Sequence, residues 1–190
     1  MPISFDLESL RQKYNCLNYF ETGLYDTRSQ NSSIHKALSC GFKNIFSIEI
    51  KDTWVKIGKD IFNKEINEKR VHLYLDDSTN LNKYIMNETF NDRTIFFLDA
   101  HVDANNIRNF KKRCPLFEEL KAISNMKRKD HIILIDDLRI INLKFPWGEK
   151  SYGKINFIDQ IKEQILSINK EYKFDTLNGH IENDVLIAYI

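Results

Sequence analysis

The chain has 190 residues, 42% hydrophobic and 12% aromatic, enough for one well-filled domain and too few for two of ordinary size. Its 28 basic and 27 acidic residues leave a formal net charge of +1 with no long block of one sign, which argues against a nucleic-acid or membrane-surface partner. Three cysteines, Cys16, Cys40 and Cys114, form neither a paired framework nor a CxxC spacing, so a disulfide scaffold or structural zinc site is not expected and a reducing cytoplasm fits.

Apolar, β-branched runs alternate with segments of helical spacing, the signal for a parallel sheet with crossover helices. Strands are expected at residues 17 to 23, 44 to 50, 70 to 78, 94 to 101 and 131 to 137, and helices at 31 to 40, 51 to 66, 79 to 89 and 115 to 126. Pro115 suits the first turn of the last of these. After a helix at 155 to 168, "YKFDTLNGHIENDVLIAYI" reads as two strands joined by a short turn through Asn178 and Gly179, which must pair antiparallel. No run reaches transmembrane length, no apolar segment follows a basic start, and no linker composition appears, so residues 1 to 190 are expected to be one soluble domain.

Two strands end in ionisable chemistry. "FFLDAHVD" (96 to 103) and "IILIDDLR" (132 to 139) each run from apolar residues into acids. The C-terminal ends of parallel strands line the ligand crevice, so Asp99, Asp136 and Asp137 should meet in space. Three carboxylates at one point repel unless something positive sits between them, and a hard cation such as Mg²⁺ takes oxygen ligands in this way. The blander reading has these acids capping helices or pairing with Arg139. His101 is the candidate base, because imidazole titrates near neutrality; as a loop histidine it could equally be a polar surface group.

Upstream, Glu21, Thr22 and Gly23 end the first strand in a polar turn that would aim backbone N–H groups at a ligand, with Gly23 permitting close approach. Glu49 ends the second strand where nucleotide-binding folds place an acid for ribose hydroxyls. An NAD-binding domain would explain Glu49 equally well but wants G-x-G-x-x-G, and this turn offers one glycine. Residues 138 to 155 are long for a connection, and a flap with Trp147 and Tyr152 on its inner wall is expected there. The basic run "RNFKKRC" (108 to 114) reads as solvated surface, with phosphate or acidic-substrate binding as its alternative.

"YFETGLYDTRSQNSS", "FSIEI", "LDDS", "FFLDAH" and "LIDD", in this order at successive strand ends, resemble the class I S-adenosylmethionine-dependent methyltransferases, and the acids of the last two resemble the metal-dependent small-molecule O-methyltransferases. The resemblance implies an α/β, three-layer Rossmann-like fold with a mostly parallel seven-stranded sheet and an antiparallel C-terminal hairpin. It implies S-adenosyl-L-methionine held by Glu21, Thr22, Gly23, Ser29, Glu49, Asp77, Ser78 and Asp99, with Ser78 equally readable as a helix N-cap. It implies Mg²⁺ on Asp99, Asp136 and Asp137, with Asp99 and His101 serving catalysis. The chain departs from the family where Leu24, Tyr25 and Asp26 stand in place of further glycine.

The activity expected is methylation of a hydroxyl on a small acceptor, a sugar or related metabolite, with a partner subunit (a homo-oligomer being one form) completing the pocket if the acceptor is larger. Base-amino methyltransferases carry Asn/Asp-Pro-Pro-aromatic where this chain has Asp99, Ala100, His101 and Val102, which sets nucleic acid aside. A non-catalytic binding protein that kept the fold is the rival from another class, supported by the atypical turn from Gly23 to Ser29.

Overall fold

The computed structural model describes residues 3–100, 114–141 and 157–190. Seven strands form one sheet: β1 (Asn18–Thr22), β2 (Asn44–Glu49), β3 (Val71–Leu75), β4 (Thr94–Leu98), β5 (Ile132–Ile135), β6 (Lys173–Leu177) and β7 (Val185–Tyr189). Their order is β3-β2-β1-β4-β5-β7-β6. The first five are parallel, and β7 runs antiparallel to both β5 and β6. The chain builds outward from β1 in one direction and from β4 in the other, so the switch point of the sheet lies between these two strands, where such folds open a crevice.

The central strands β1, β4 and β5 are buried along their whole length because both faces are covered. On β4, Phe96 and Leu98 face one core together with Phe20, Ile133 and Ile135, while Ile95 and Phe97 face the other with Tyr19, Ile132 and Leu134. The first core is closed by α5 (Asn82–Ile85), α6 (Leu116–Asn125) and α8 (Phe157–Ile168); the second by α1 (Leu7–Lys13), α2 (Ser33–Ser39) and α3 (Asp52–Ile61), with α4 (Asn63–Asn67) following α3. A four-residue helix, α7 (Leu138–Ile141), follows β5. No helix of the described residues is long and apolar enough to cross a membrane.

Several expected elements differ in detail. The helix expected over 51 to 66 breaks at Phe62, which turns into the core and stacks 4.8 Å from the His35 ring. The helix expected over 79 to 89 is instead a 3₁₀ turn at Ser78–Asn80, α5, and a second 3₁₀ turn at Glu88–Asn91. Asp77 and Asn87 each accept a backbone N–H two residues on, the local bonding by which Asx side chains interrupt helices. Helix α1 was not expected; Asp6 caps it by accepting the Ser9 N–H at 2.9 Å. The β6–β7 connection spans residues 178 to 184 rather than a two-residue turn.

Candidate active site

Gly23 leaves β1 with φ +91° and donates its N–H to the Ile48 carbonyl at 2.9 Å. A Cβ at this position would stand 2.8 Å from the carbonyl oxygen of Asp99, so only glycine lets the ends of β1 and β4 approach across the switch point. The bulky residues that follow find separate places. Leu24 is fully buried, and Gly58 on α3 makes room for it: a Cβ on Gly58 would lie 3.1 Å from Leu24 Cδ2. Tyr25, at φ +54°, turns outward and packs its ring 5.0 Å from that of Trp54. Ser29 is exposed, its Oγ accepting the Asn31 N–H.

Glu21 lies beneath the turn rather than in it. Fully buried, its carboxylate accepts hydrogen bonds from Tyr19 Oη and Ser47 Oγ, both at 3.0 Å, and burial raises its pKa. Thr22 is buried at the strand end and accepts the Asp99 N–H through its carbonyl at 3.1 Å and its hydroxyl at 3.3 Å.

Glu49 ends β2 with its carboxylate bridging two loops, accepting the N–H of Tyr25 at 3.0 Å and of Lys51 at 2.8 Å. A carboxylate has about four acceptor sites, so ribose hydroxyls could still be served. Beside it, Ile50 and Leu75 expose about half of their apolar side chains at neighbouring strand ends, a surface suited to the face of a base that the sequence reading did not single out. After β3, Asp76 organises the loop. Burial pushes its carboxyl up, but hydrogen bonds from Tyr84 and Asn80 and from the Asp77 N–H pull it down to about 2. Asp77 accepts from Thr79, and Ser78 is buried at the start of the 3₁₀ turn.

The acids of the other half do converge. Asp99 is 9% exposed, and neither carboxylate oxygen has a hydrogen-bond partner among the described residues. Burial first, then the charge of Asp136, raises its pKa well above the usual range. Asp136 is pushed up to about 6, chiefly by burial; its Oδ1 accepts the Asp137 N–H at 2.7 Å. Asp137 sits at φ +62° and its Oδ1 lies 2.6 Å from Arg139 Nη2.

A further acid, absent from the sequence reading, groups with Asp136 and Asp137, and Asp99 is not one of that group of three. Asp136, Asp137 and Asp184 each place one carboxylate oxygen within 4.8 Å of the others. Asp184 precedes β7, and because β7 is antiparallel its beginning lies at the same edge as the ends of β4 and β5. That reversal was the available signal: an acid immediately before the one antiparallel strand faces the crevice. Gly179 in the same connection would bring a Cβ to 3.2 Å from Asp136 Oδ1, so this loop roofs the acid cluster closely. The blander expectation is met in part as well, since Arg139 pairs with both Asp137 and Asp184. Of the proposed flap, residues 138 to 141 form α7 with Leu138 and Ile141 buried, while Trp147 and Tyr152 lie outside the described residues. His101 and most of the 108 to 114 basic run lie outside them too.

Asp136, Asp137 and Asp184 offer carboxylate oxygens only, the donor chemistry of a hard divalent cation, with Arg139 already paired to two of them. The strand order is that of the Rossmann-like methyltransferase fold. Solved structures of O-methyltransferases share it. The enzyme from Bacillus cereus in complex with SAH is 14% identical with a TM-score of 0.59, over 97% of this chain and 78% of that one. The putative caffeoyl-CoA O-methyltransferase from Staphylococcus aureus is 16% identical with a TM-score of 0.57, over 99% and 85%. TomG from Streptomyces achromogenes, an O-methyltransferase involved in tomaymycin synthesis and solved with SAM, is 10% identical with a TM-score of 0.61, over 97% and 77%. No family model matches the chain, and no curated protein matches it in sequence.

Proposed function

We propose that the protein transfers a methyl group from S-adenosylmethionine to a hydroxyl of a small acceptor, a sugar or related metabolite, with a divalent cation held by Asp99, Asp136 and Asp137. The observation that carries this reading is Asp99: a buried carboxylate with both oxygens unpartnered, at the sheet's switch point, one residue-width from the Gly23 turn and beside Asp136. The O-methyltransferase neighbours support the reaction class.

In this reading Glu49 accepts from the ribose hydroxyls, Ile50 and Leu75 cover the adenine, and the loop beginning Asp77–Ser78 lies along its edge. The Gly23 turn, packed against the Asp99 backbone, runs along the methionine portion in this reading. A cation bound to the acids would lower the pKa of an acceptor hydroxyl and orient it. The acceptor oxygen then uses a lone pair to form the new C–O bond as the C–S bond breaks, its electron pair returning to sulfur to give S-adenosylhomocysteine. The hydroxyl proton passes to a base, for which His101 is proposed with Asp99 as the alternative. Proximity and alignment supply much of the rate, since the sulfonium is already a good leaving group.

One observation favours the rival reading of a binding protein without catalysis: Glu49 already accepts two backbone N–H groups. Calorimetric titration with S-adenosylhomocysteine, with and without Mg²⁺, decides between them. Micromolar binding that is weakened by Glu49→Ala supports the methyltransferase reading; no binding at millimolar ligand in either condition sinks it.

A further inference from the structure

Glu119, on α6, takes no part in the chemistry above. It is fully buried, and neither of its carboxylate oxygens completes a hydrogen bond. Such a site strongly disfavours the ionised form. Burial accordingly holds its pKa up at about 7, although the hydroxyls of Ser78 and Thr22 lie close enough to pull it down.

Those two hydroxyls belong to opposite walls of the crevice. Thr22 is the last residue of β1, immediately before the Gly23 turn, and Ser78 opens the 3₁₀ turn after β3 against which α6 packs. Thr22 Oγ1 already accepts the Asp99 N–H at 3.3 Å, which leaves its proton for another acceptor. A neutral carboxyl group carries one donor and one acceptor, the pair needed to take a hydrogen bond from one hydroxyl and give one to the other.

We propose that Glu119 is a positioning residue of the cofactor crevice, whose carboxyl group ties the Thr22 hydroxyl at the end of β1 to the Ser78 hydroxyl after β3 and so sets the two loops between which S-adenosylmethionine lies. The proposal rests on the methyltransferase reading of that crevice. The charged groups facing Glu119 are both acids, Asp77 ahead of the 3₁₀ turn and Glu118 on its own helix. Thr22 on the β1 side is uncharged, and Lys83 on α5 is held by Asp76. Neutral or ionised, the carboxyl group can accept from a hydroxyl on either side, so the tie does not depend on its charge.

The test is calorimetric titration of S-adenosylhomocysteine into the wild-type chain, Glu119→Gln, Glu119→Leu and Ser78→Ala at pH 6 and pH 8.5, together with amide hydrogen exchange of residues 22–26 and 77–81 in the ligand-free proteins. Glutamine keeps one donor and one acceptor in every protonation condition. The expected result is that the Gln variant, which keeps an acceptor and a donor, binds within about threefold of wild type at both pH values. The Leu variant is expected to bind tenfold or more weakly and to exchange faster in both loops, and Ser78→Ala, the milder cut of the same tie, to reproduce part of both effects. Wild-type affinity in both Glu119→Leu and Ser78→Ala, or unchanged exchange in both loops, would overturn the proposal while leaving the methyltransferase reading intact. Failure of the wild-type chain itself to bind would overturn that reading and this proposal together.

Discussion

The carbonyl of Asp99 occupies the place a side chain at residue 23 would need: a Cβ on Gly23 would stand 2.8 Å from that oxygen and 3.3 Å from the Ala100 Cα. The contact joins the two strands on either side of the switch point, so one glycine positions both the cofactor turn and the acid between the two half-sites. Gly23→Ala should cost about 1 to 2 kcal/mol from the φ of +91° alone, lowering Tm by roughly 2 to 8 °C. Because the new methyl group must also push the β4 end away, S-adenosylhomocysteine affinity should fall by more than the stability loss accounts for. An alanine variant with wild-type Tm and wild-type affinity would mean that the strand ends are free to shift apart.

Much of this arrangement was legible because it depends on strand ends. Continuous apolar runs placed the five parallel strands within about three residues at either end, and the residues at or after those ends, Gly23, Glu49, Asp77, Asp99 and Asp136, inherit their location from the sheet. Side-chain direction was not legible. Glu21 looked like part of the turn, yet one residue before Thr22 the pleat sends it inward to Tyr19 and Ser47. Glu119 in "LFEELKAI" reads as the polar face of an amphipathic helix, and only tertiary packing buries it. Asp184 was hidden in a segment read as strand, which the structure leaves in the connection before β7.

In the proposed cation site, Asp136 would couple cation binding to pH. Its metal-free pKa is raised to about 6, so a proton and a cation compete for it. A raised carboxyl contributes stability below its ordinary value of 3.8, and this is lost as pH rises through about 6. Mn²⁺ or Mg²⁺ should restore it, giving a Tm increase that is larger at pH 7.5 than at pH 5. Mn²⁺ affinity should fall up to about tenfold per pH unit below 6 and lose that dependence in Asp136→Asn. Equal Tm with and without millimolar cation at both pH values would remove the cation from the mechanism.

At the opposite end of the sheet, His131 gives the fold its acid sensitivity. It is fully buried, its Nδ1 accepts the Thr94 N–H at 3.2 Å, and burial lowers its pKa to about 4. A depressed histidine contributes stability that is present above its ordinary value of 6.5 and is lost as pH falls through about 4. The loss amounts to about 3 kcal/mol at most. Urea denaturation between pH 7 and pH 4 should show this slope in the wild type and a shallower one in His131→Asn, whose side-chain oxygen can still accept from Thr94. An unchanged slope in the variant would assign the acid sensitivity elsewhere.

Arg139 is shared between two acids with different duties. Its guanidinium pairs with Asp184, whose side chain is wholly inaccessible, and lies 2.6 Å from Asp137 Oδ1. Asp184 also accepts the backbone N–H groups of Arg139 at 2.9 Å and His180 at 3.2 Å, so it fastens the β6–β7 loop onto α7. Removing the cation from such a pair leaves a buried carboxylate uncompensated, and Arg139→Met should cost about 3 to 5 kcal/mol in urea denaturation. Asp184→Asn removes the charge but preserves the acceptor geometry, so it should cost less. It also releases Arg139 to pair with Asp137 alone, where it competes with a cation. The asparagine variant should therefore keep most of its stability while binding Mn²⁺ more weakly than wild type. If Arg139→Met costs less than about 1 kcal/mol, the pair is a surface interaction and the loop is held by its backbone bonds alone.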